Sequence, residues 1–425
     1  MKRLLAIAVF AIAVFAFAQR VAADEVTDSR RLQQEALAAY KDKKPVLFLE
    51  KIRAASALRP QHPTLLVQLA VALAANERHR EALGVLDRVA AMGFVYALDD
   101  AELQPVRALP AFARAAKRFE ANARPIGAAK HELTIDRLGL IPEGIAYDAK
   151  RKRWLVSSVR TGAILAVTAD GATADGNVQT FADVPWGVFG MAVDAKRGVL
   201  WATTTALPQV EDFSAEDKGK SALLRIDLES GEVMETLRAA DEAEHHFGDV
   251  AVAANGEVYV SDSASPVIFR VAGAALEPFL RGPFTSMQGI APAGNVLYVA
   301  DYSKGIFAVD LRTRDVHSMR VPPNASLLGV DGLYFVSERT LVATQNGTNP
   351  NRVIRIGLEP GGLAVSSVET LLANVPGMGD PTLGAVVGKR LFFNANAQWE
   401  LFGEEGRIAD PLKLQPAVIL SVAAE

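Results

Sequence analysis

From Ser29 to about Glu120, apolar positions recur at helical spacing. Leu65, Leu66, Leu69 and Leu73 form one stripe, and Ala82, Leu83, Leu86 and Val89 form the next. Pro63 suits a first helical turn and Gly93 suits a stop. After Lys130 the apolar period shortens to that of strands. The stretch "NARPIG", over 122–127, breaks the helical pattern between the two regimes. The pattern therefore predicts a helical domain over 29–122 and a strand-rich domain over 131–425.

The strand-rich part repeats itself. Its first unit reads "EGIAYDA", "RWLVSSV", "GAILAVT" and "VQTFAD", four short strands with turns between them. Five further units echo it, with first strands near residues 143, 190, 249, 288, 331 and 380. Four-stranded units at that period are the signature of β-propeller blades. The expected fold class is mainly β, a six-bladed β-propeller behind a small N-terminal α-helical domain. The sixth unit reads "PTLGAVV", "RLFFNAN" and "QWELF", the last taken as its third strand. A ring protects its edges by closing with a strand from the other end of the domain. "HELTIDR", over 131–137, suits that clasp, and the C-terminal "AVILSV" is the alternative.

Residues 1–23 read as an export signal. A basic Met1-Lys2-Arg3 precedes an apolar run from Leu4 to Ala18, followed by small-residue cleavage sites at residues 16–18 and 21–23. That run is short for a membrane span. A periplasmic or secreted location is the expectation. The 425-residue chain has no cysteine, which excludes a lipid-anchored cysteine, disulfides and thiolate metal sites. A net charge of −4 leaves no basic excess to neutralise nucleic-acid phosphates.

Six residues head the first strands: Glu143, Gly190, Asp249, Gln288, Asp331 and Asp380. First strands line a propeller's channel, so four carboxylates and an amide are expected at one mouth. Such crowding is unfavourable unless a cation offsets it. All-oxygen donors suit a hard divalent cation, Ca²⁺, Mg²⁺ or Mn²⁺, better than zinc. Glu143, Gln288, Asp331 and Asp249 are the candidate metal ligands. Acids that merely cap turns or bind water at a solvated axis are the other reading. The rim is expected to carry Arg160, Tyr302, Asn346, His245 and His246 beside Asp380, with the insertion over 206–221 as a lid. Asp262 and Asp301, each ending a second strand, suit a structural turn. No nucleophile elbow, phosphate loop or His-x-x-x-His zinc pair occurs.

Two resemblances rest on these residues. "HPTLLVQLAVALAANERHREALGVLDRVAAMG", with Ala70 and Ala82 at close-packing positions, resembles a tetratricopeptide-type helix pair. "PEG" at Glu143 and "VDGL" at Asp331-Gly332 resemble the senescence-marker/gluconolactonase propellers, and more distantly the strictosidine-synthase and paraoxonase propellers. The second resemblance implies a divalent cation in the channel, with Asp331 as general base or partner of a metal-bound water. Gln288 stands where that family usually has an asparagine ligand, and Asp249 where it has a substrate-contacting asparagine. One histidine of the 245–246 pair would be a proton shuttle. The implied function is hydrolysis of a lactone or ester, with Asp331 or Asp249 as catalytic base. The alternative is a non-catalytic propeller that binds a small ligand or a protein, with the helical domain recruiting a partner.

Overall fold

A computed structural model describes residues 24–168, 178–403 and 405–425, so the expected export signal lies outside the described residues. The chain divides into two compact units. One runs to Ala91 and takes in Ala97–Lys117; the other comprises Met92–Tyr96 and Arg118–Glu425.

The helical unit contains Glu25–Lys41, Pro45–Leu58, Pro63–Ala75 and His79–Ala91, joined by short loops. Prolines open the second and third of these helices, where the missing N–H is not needed. Ala36, Ala55, Ala70 and Ala82 are fully buried, as small residues must be where helices approach closely.

The second unit is a propeller of six four-stranded sheets. Five follow chain order, their first strands being Ile145–Asp148, Gly187–Asp194, Phe247–Val252, Met287–Ala293 and Val330–Ser337. The sixth runs Gly384–Val387, Arg390–Asn394, Ala417–Ala423, and then Lys130–Ile135 as its outermost strand. "HELTIDR" thus supplies the closing strand, and "AVILSV" is the strand it pairs with. The reading of "QWELF" as a strand is corrected: Trp399–Leu401 is a single 3₁₀ turn inside a long loop, and the third strand comes only at 417.

Each pair of neighbouring blades encloses its own apolar cluster. At the seam between blades six and one, Trp154 packs on Phe392 with ring centroids 4.5 Å apart and on Tyr147 at 4.6 Å. Such pairs contribute about 0.5–1.5 kcal/mol beyond the area they bury. Fully buried Ile135 and Ile419 complete that cluster.

Met92–Tyr96 is built into the propeller body by Arg352, which is 1% exposed. Its guanidinium donates to the Met92 carbonyl at 2.8 Å and the Gln345 Oε1 at 2.6 Å, and lies 4.5 Å over the Phe94 ring. It has only neutral acceptors, and burial lowers its pKa to about 10.

Candidate active site

The heads of the first strands are not regular. In blades two to five the pairing register with the second strand slips at the head, between Val188 and Met191, Phe247 and Asp249, Met287 and Ile290, and Val330 and Leu333. Such bulges free backbone groups and re-aim a side chain. Hydroxyls of the second strands accept from backbone amides at the strand heads, at these bulges and also in blade one, whose pairing is regular. Ser157 Oγ accepts from Gly144 N at 2.7 Å, Ser261 Oγ from Asp249 N at 3.1 Å, and Thr344 Oγ1 from Gly332 N at 2.8 Å.

The strands converge tightly. A Cβ at Gly190 would stand 2.5 Å from Asp249 Oδ1, and one at Gly289 would stand 2.5 Å from the Asp331 carbonyl oxygen. Blade two therefore has no side chain at its head because Asp249 occupies the space.

Glu143, Asp249, Gln288 and Asp331 line one cavity of about 420 Å³. Tyr302 and Asn346, from loops after second strands, line it too, as do His246, Phe189 and Trp399. Leu207 and Gln209 of the 206–221 insertion also reach it. Asp249 and Leu383 also line a second chamber of about 530 Å³ within the channel, walled by apolar first-strand residues such as Ile145, Val250 and Leu333.

The acids differ in what holds them. Glu143 Oε1 accepts the indole N–H of Trp399. Among the described residues its Oε2 accepts no hydrogen bond. Asp331 Oδ2 accepts from Asn346 Nδ2 at 2.7 Å, while Oδ1 accepts none from the described residues; Asn346 Oδ1 in turn accepts from the Tyr302 hydroxyl at 3.1 Å. Asp249 has both oxygens on backbone amides, Val250 N at 2.8 Å and Ile290 N at 3.1 Å, and so ties blade three to blade four. The Gln288 amide nitrogen donates to Ser286 Oγ at 3.4 Å, and among the described residues its carbonyl oxygen has no donor.

Burial, with the Asp331 charge next, pushes the Glu143 carboxyl well above the usual range, against the opposing pull of the Trp399 N–H. Burial and the Asp380 charge push Asp331 up to about 7. Burial raises Asp249 to about 7, and burial with nearby Glu400 raises Asp380 to about 6.

Other expected rim residues are placed differently. His245 is buried between Asp262 Oδ2 at 2.6 Å and Asp241 Oδ1 at 2.8 Å, and does not line the cavity. His246 does, edge-on to Phe189 at 4.8 Å, and burial holds its imidazole below the ordinary range. The Arg160 guanidinium holds the carbonyls of Gln209 and Gly406 at 3.1 and 3.2 Å and pairs with Glu211, bracing the insertion. Asp262 and Asp301 are turn organisers: Asp301 alone accepts from the amides of Thr285, Ser286, Ser303 and Lys304. Trp399, missed in the sequence, was hidden in a stretch read as strand.

Among the described residues no three Asp, Glu or His side chains stand close enough to grip a metal ion unaided. The chemistry of the donor set nevertheless fits a hard cation. Glu143 and Asp331 line a common cavity with Gln288, each has one carboxylate oxygen without a hydrogen-bond partner among the described residues, and the Asp331 charge adds to the burial that raises Glu143.

No protein-family model matches the chain, and no curated protein does. Solved structures similar to it include a gluconolactonase from Xanthomonas campestris, at 17% identity over 71% of this chain and 92% of that one, TM-score 0.47. Another is the calcium-binding protein regucalcin from Agrobacterium tumefaciens, at 15% identity over 70% and 94%, TM-score 0.48. A third is the PQQ-bound aldose sugar dehydrogenase from Streptomyces coelicolor, at 17% identity over 70% and 99%, TM-score 0.46. Three different chemistries stand at the same distance from this chain, and its own activity is not set by any of them.

Proposed function

We propose that the propeller is a hydrolase of lactones or related esters that works with a divalent cation at the channel mouth. One observation carries this reading: two buried carboxylates, Glu143 and Asp331, line one cavity, and burial with neighbouring carboxylate charge raises the pKa of both, Asp331 acting on Glu143 and Asp380 on Asp331. Glu143, Asp331 and Gln288 would hold the ion, with water completing the shell, as hard cations accept. Bound there, a divalent ion polarises an ester carbonyl and makes a coordinated water acidic.

The chain's own groups supply the rest. Trp399 and Asn346 each spend one N–H on orienting a carboxylate, and Tyr302 fixes which way the Asn346 amide faces. Asp331 is the candidate base: it lines the cavity, its Oδ1 has no hydrogen-bond partner among the described residues, and a carboxyl poised near neutrality can both take and return a proton. His246, whose imidazole pKa burial lowers, also lines the cavity and is a second candidate acceptor. Phe189 and Trp399, with ring centroids 6.3 Å apart and nearly parallel, offer an apolar wall for a ring-shaped substrate. Asp249, already committed to two backbone amides, is better suited to holding the strands than to moving protons.

Metal content of the purified protein, followed by a lactone and ester panel with and without chelator, tests the reading. Glu143→Gln and Asp331→Asn should each lose both cation retention and turnover. Turnover that survives chelation and both substitutions would overturn it.

A further inference from the structure

The helical unit carries a cavity of its own, about 570 Å³, at the loop between its first two helices. That is within the range of roughly 300–1,000 Å³ typical of ligand pockets. Its floor is apolar, formed by the buried Phe48 with the Tyr40 ring 5.2 Å away. Tyr40 donates its hydroxyl to Glu102 at 2.8 Å, which fixes the ring at the cavity wall. Leu37, Val46 and Leu47, all on these two helices, are among the few exposed large apolar residues of the chain, Val46 at 74%.

The rim is basic. Lys41, Lys43 and Lys44 all line the cavity. Lys44 pairs with Asp42 at 3.0 Å, whereas among the described residues Lys41 and Lys43 have no carboxylate within ion-pair distance. The Lys43 backbone is also unusual. It lies at φ 57°, at the end of the first helix, with its amide bonded back to the Tyr40 carbonyl at 3.0 Å. That is the position where helices most often place glycine, because any Cβ is crowded there. A lysine accepts that crowding here, and its ammonium is what glycine would lack.

We propose that this cavity is a docking site for an acidic segment of a partner protein, which inserts one aromatic or large apolar side chain against Phe48 and Tyr40. Carboxylates flanking that side chain meet Lys41 and Lys43. Charge complementarity selects the partner, and the cavity gives it an anchor. An anionic membrane surface is the competing occupant. It is disfavoured because the basic residues surround a concavity, and because Glu102 lines that concavity with them and Asp42 pairs with Lys44. The site is independent of what the propeller does.

The test uses the full chain and a fluorescein-labelled peptide of six glutamates around a central tryptophan, followed by anisotropy. Saturable binding is expected, weakening about tenfold in the Lys41→Glu/Lys43→Glu variant and again at high salt, since exposed ion pairs are screened. Tyr40→Ala should weaken it too, and a peptide with alanine in place of tryptophan should bind less well. Lys389→Glu, a charge change on the propeller, should leave binding unaltered. Both charge variants alter exposed side chains, and unchanged melting curves would verify their folds. Absence of saturation, or binding indifferent to the lysine variants, would overturn the proposal. So would tighter binding to vesicles of three parts phosphatidylcholine to one part phosphatidylglycerol, which would make the face a membrane surface.

Discussion

The indole N–H of Trp399 donates to Oε1 of Glu143, across 256 residues of sequence. Trp399 belongs to the last blade and Glu143 to the first, so the candidate site lies on the seam where the ring closes. Anything that loosens the seam should loosen the site.

Trp399→Phe keeps an aromatic wall and removes only the donor. Glu143 then loses the one contact that opposes its raised pKa. Losing such an orienting contact typically costs about 10–100-fold in metal affinity or activity. The expected outcome is a smaller cation-induced rise in melting temperature, with little change in the melting temperature of metal-free protein. Scanning calorimetry with and without Ca²⁺ or Mn²⁺ checks it.

The pH dependence of metal-free stability has a defined sign. Asp331 and Asp249 titrate near 7 and Asp380 near 6 in the fold, above the ordinary value near 4. Between those limits the native state holds protons that the unfolded chain has released. Stability from these groups is therefore full below about pH 4 and falls as pH rises through 6 to 7. Chelated protein should melt at a lower temperature at pH 8 than at pH 5, and added cation should restore more at pH 8. Glu143→Gln, which keeps an oxygen for Trp399, should be more stable than the parent in chelator at pH 8. A flat profile in chelator would contradict the crowding of charge at the mouth.

Ile135 is fully buried in the closing strand. Ile135→Ala should cost about 2–5 kcal/mol by leaving a cavity in the seam. Cation retention should fall with it, because Trp399 and Glu143 face each other across the same joint. Urea denaturation and metal analysis of the variant are the measurements.

Arg352→Met retains much of the side chain's length but drops every donor. The Met92 carbonyl and the Gln345 oxygen would lose their partner in a dry site, at about 1–3 kcal/mol each. Denaturant unfolding should show a loss of that order. Proteolysis should in addition cut earlier within 92–96, the segment that Arg352 fastens.

The ring itself was legible because it repeats: six short alternating patterns, five of them with an acid or amide at the corresponding place, are a local signal. So was the pairing of Glu143 with Asp331, which needs only the blades' positions. Trp399 was not, because a loop of irregular period between 395 and 416 separates two strands of one blade, and its apolar letters imitate a strand. Arg160 and His245 were expected at the rim from chain position alone. Whether a loop residue faces the cavity or braces what lies behind it depends on partners such as Gln209 and Asp262, distant carbonyls and carboxylates with no trace in the local pattern. The serine and threonine hydroxyls of the second strands were visible in "VSS", "VSD" and "VAT", but their use emerges only once the bulges opposite them are known.

The closing strand also sets an order of events. Lys130 pairs with Ser421, so the propeller's first strand to leave the ribosome waits for nearly its last. Five blades can form as they emerge, each a local meander, whereas the sixth needs a contact spanning almost the whole domain, and contacts of that range are slow to form. Until it forms, blade six lacks its outer strand and shows an unpaired edge to its surroundings. The acids at the mouth are brought into register by the same late event. A nascent or incompletely closed chain would therefore lack the assembled mouth until it is fully folded, and be most exposed to aggregation at that last step.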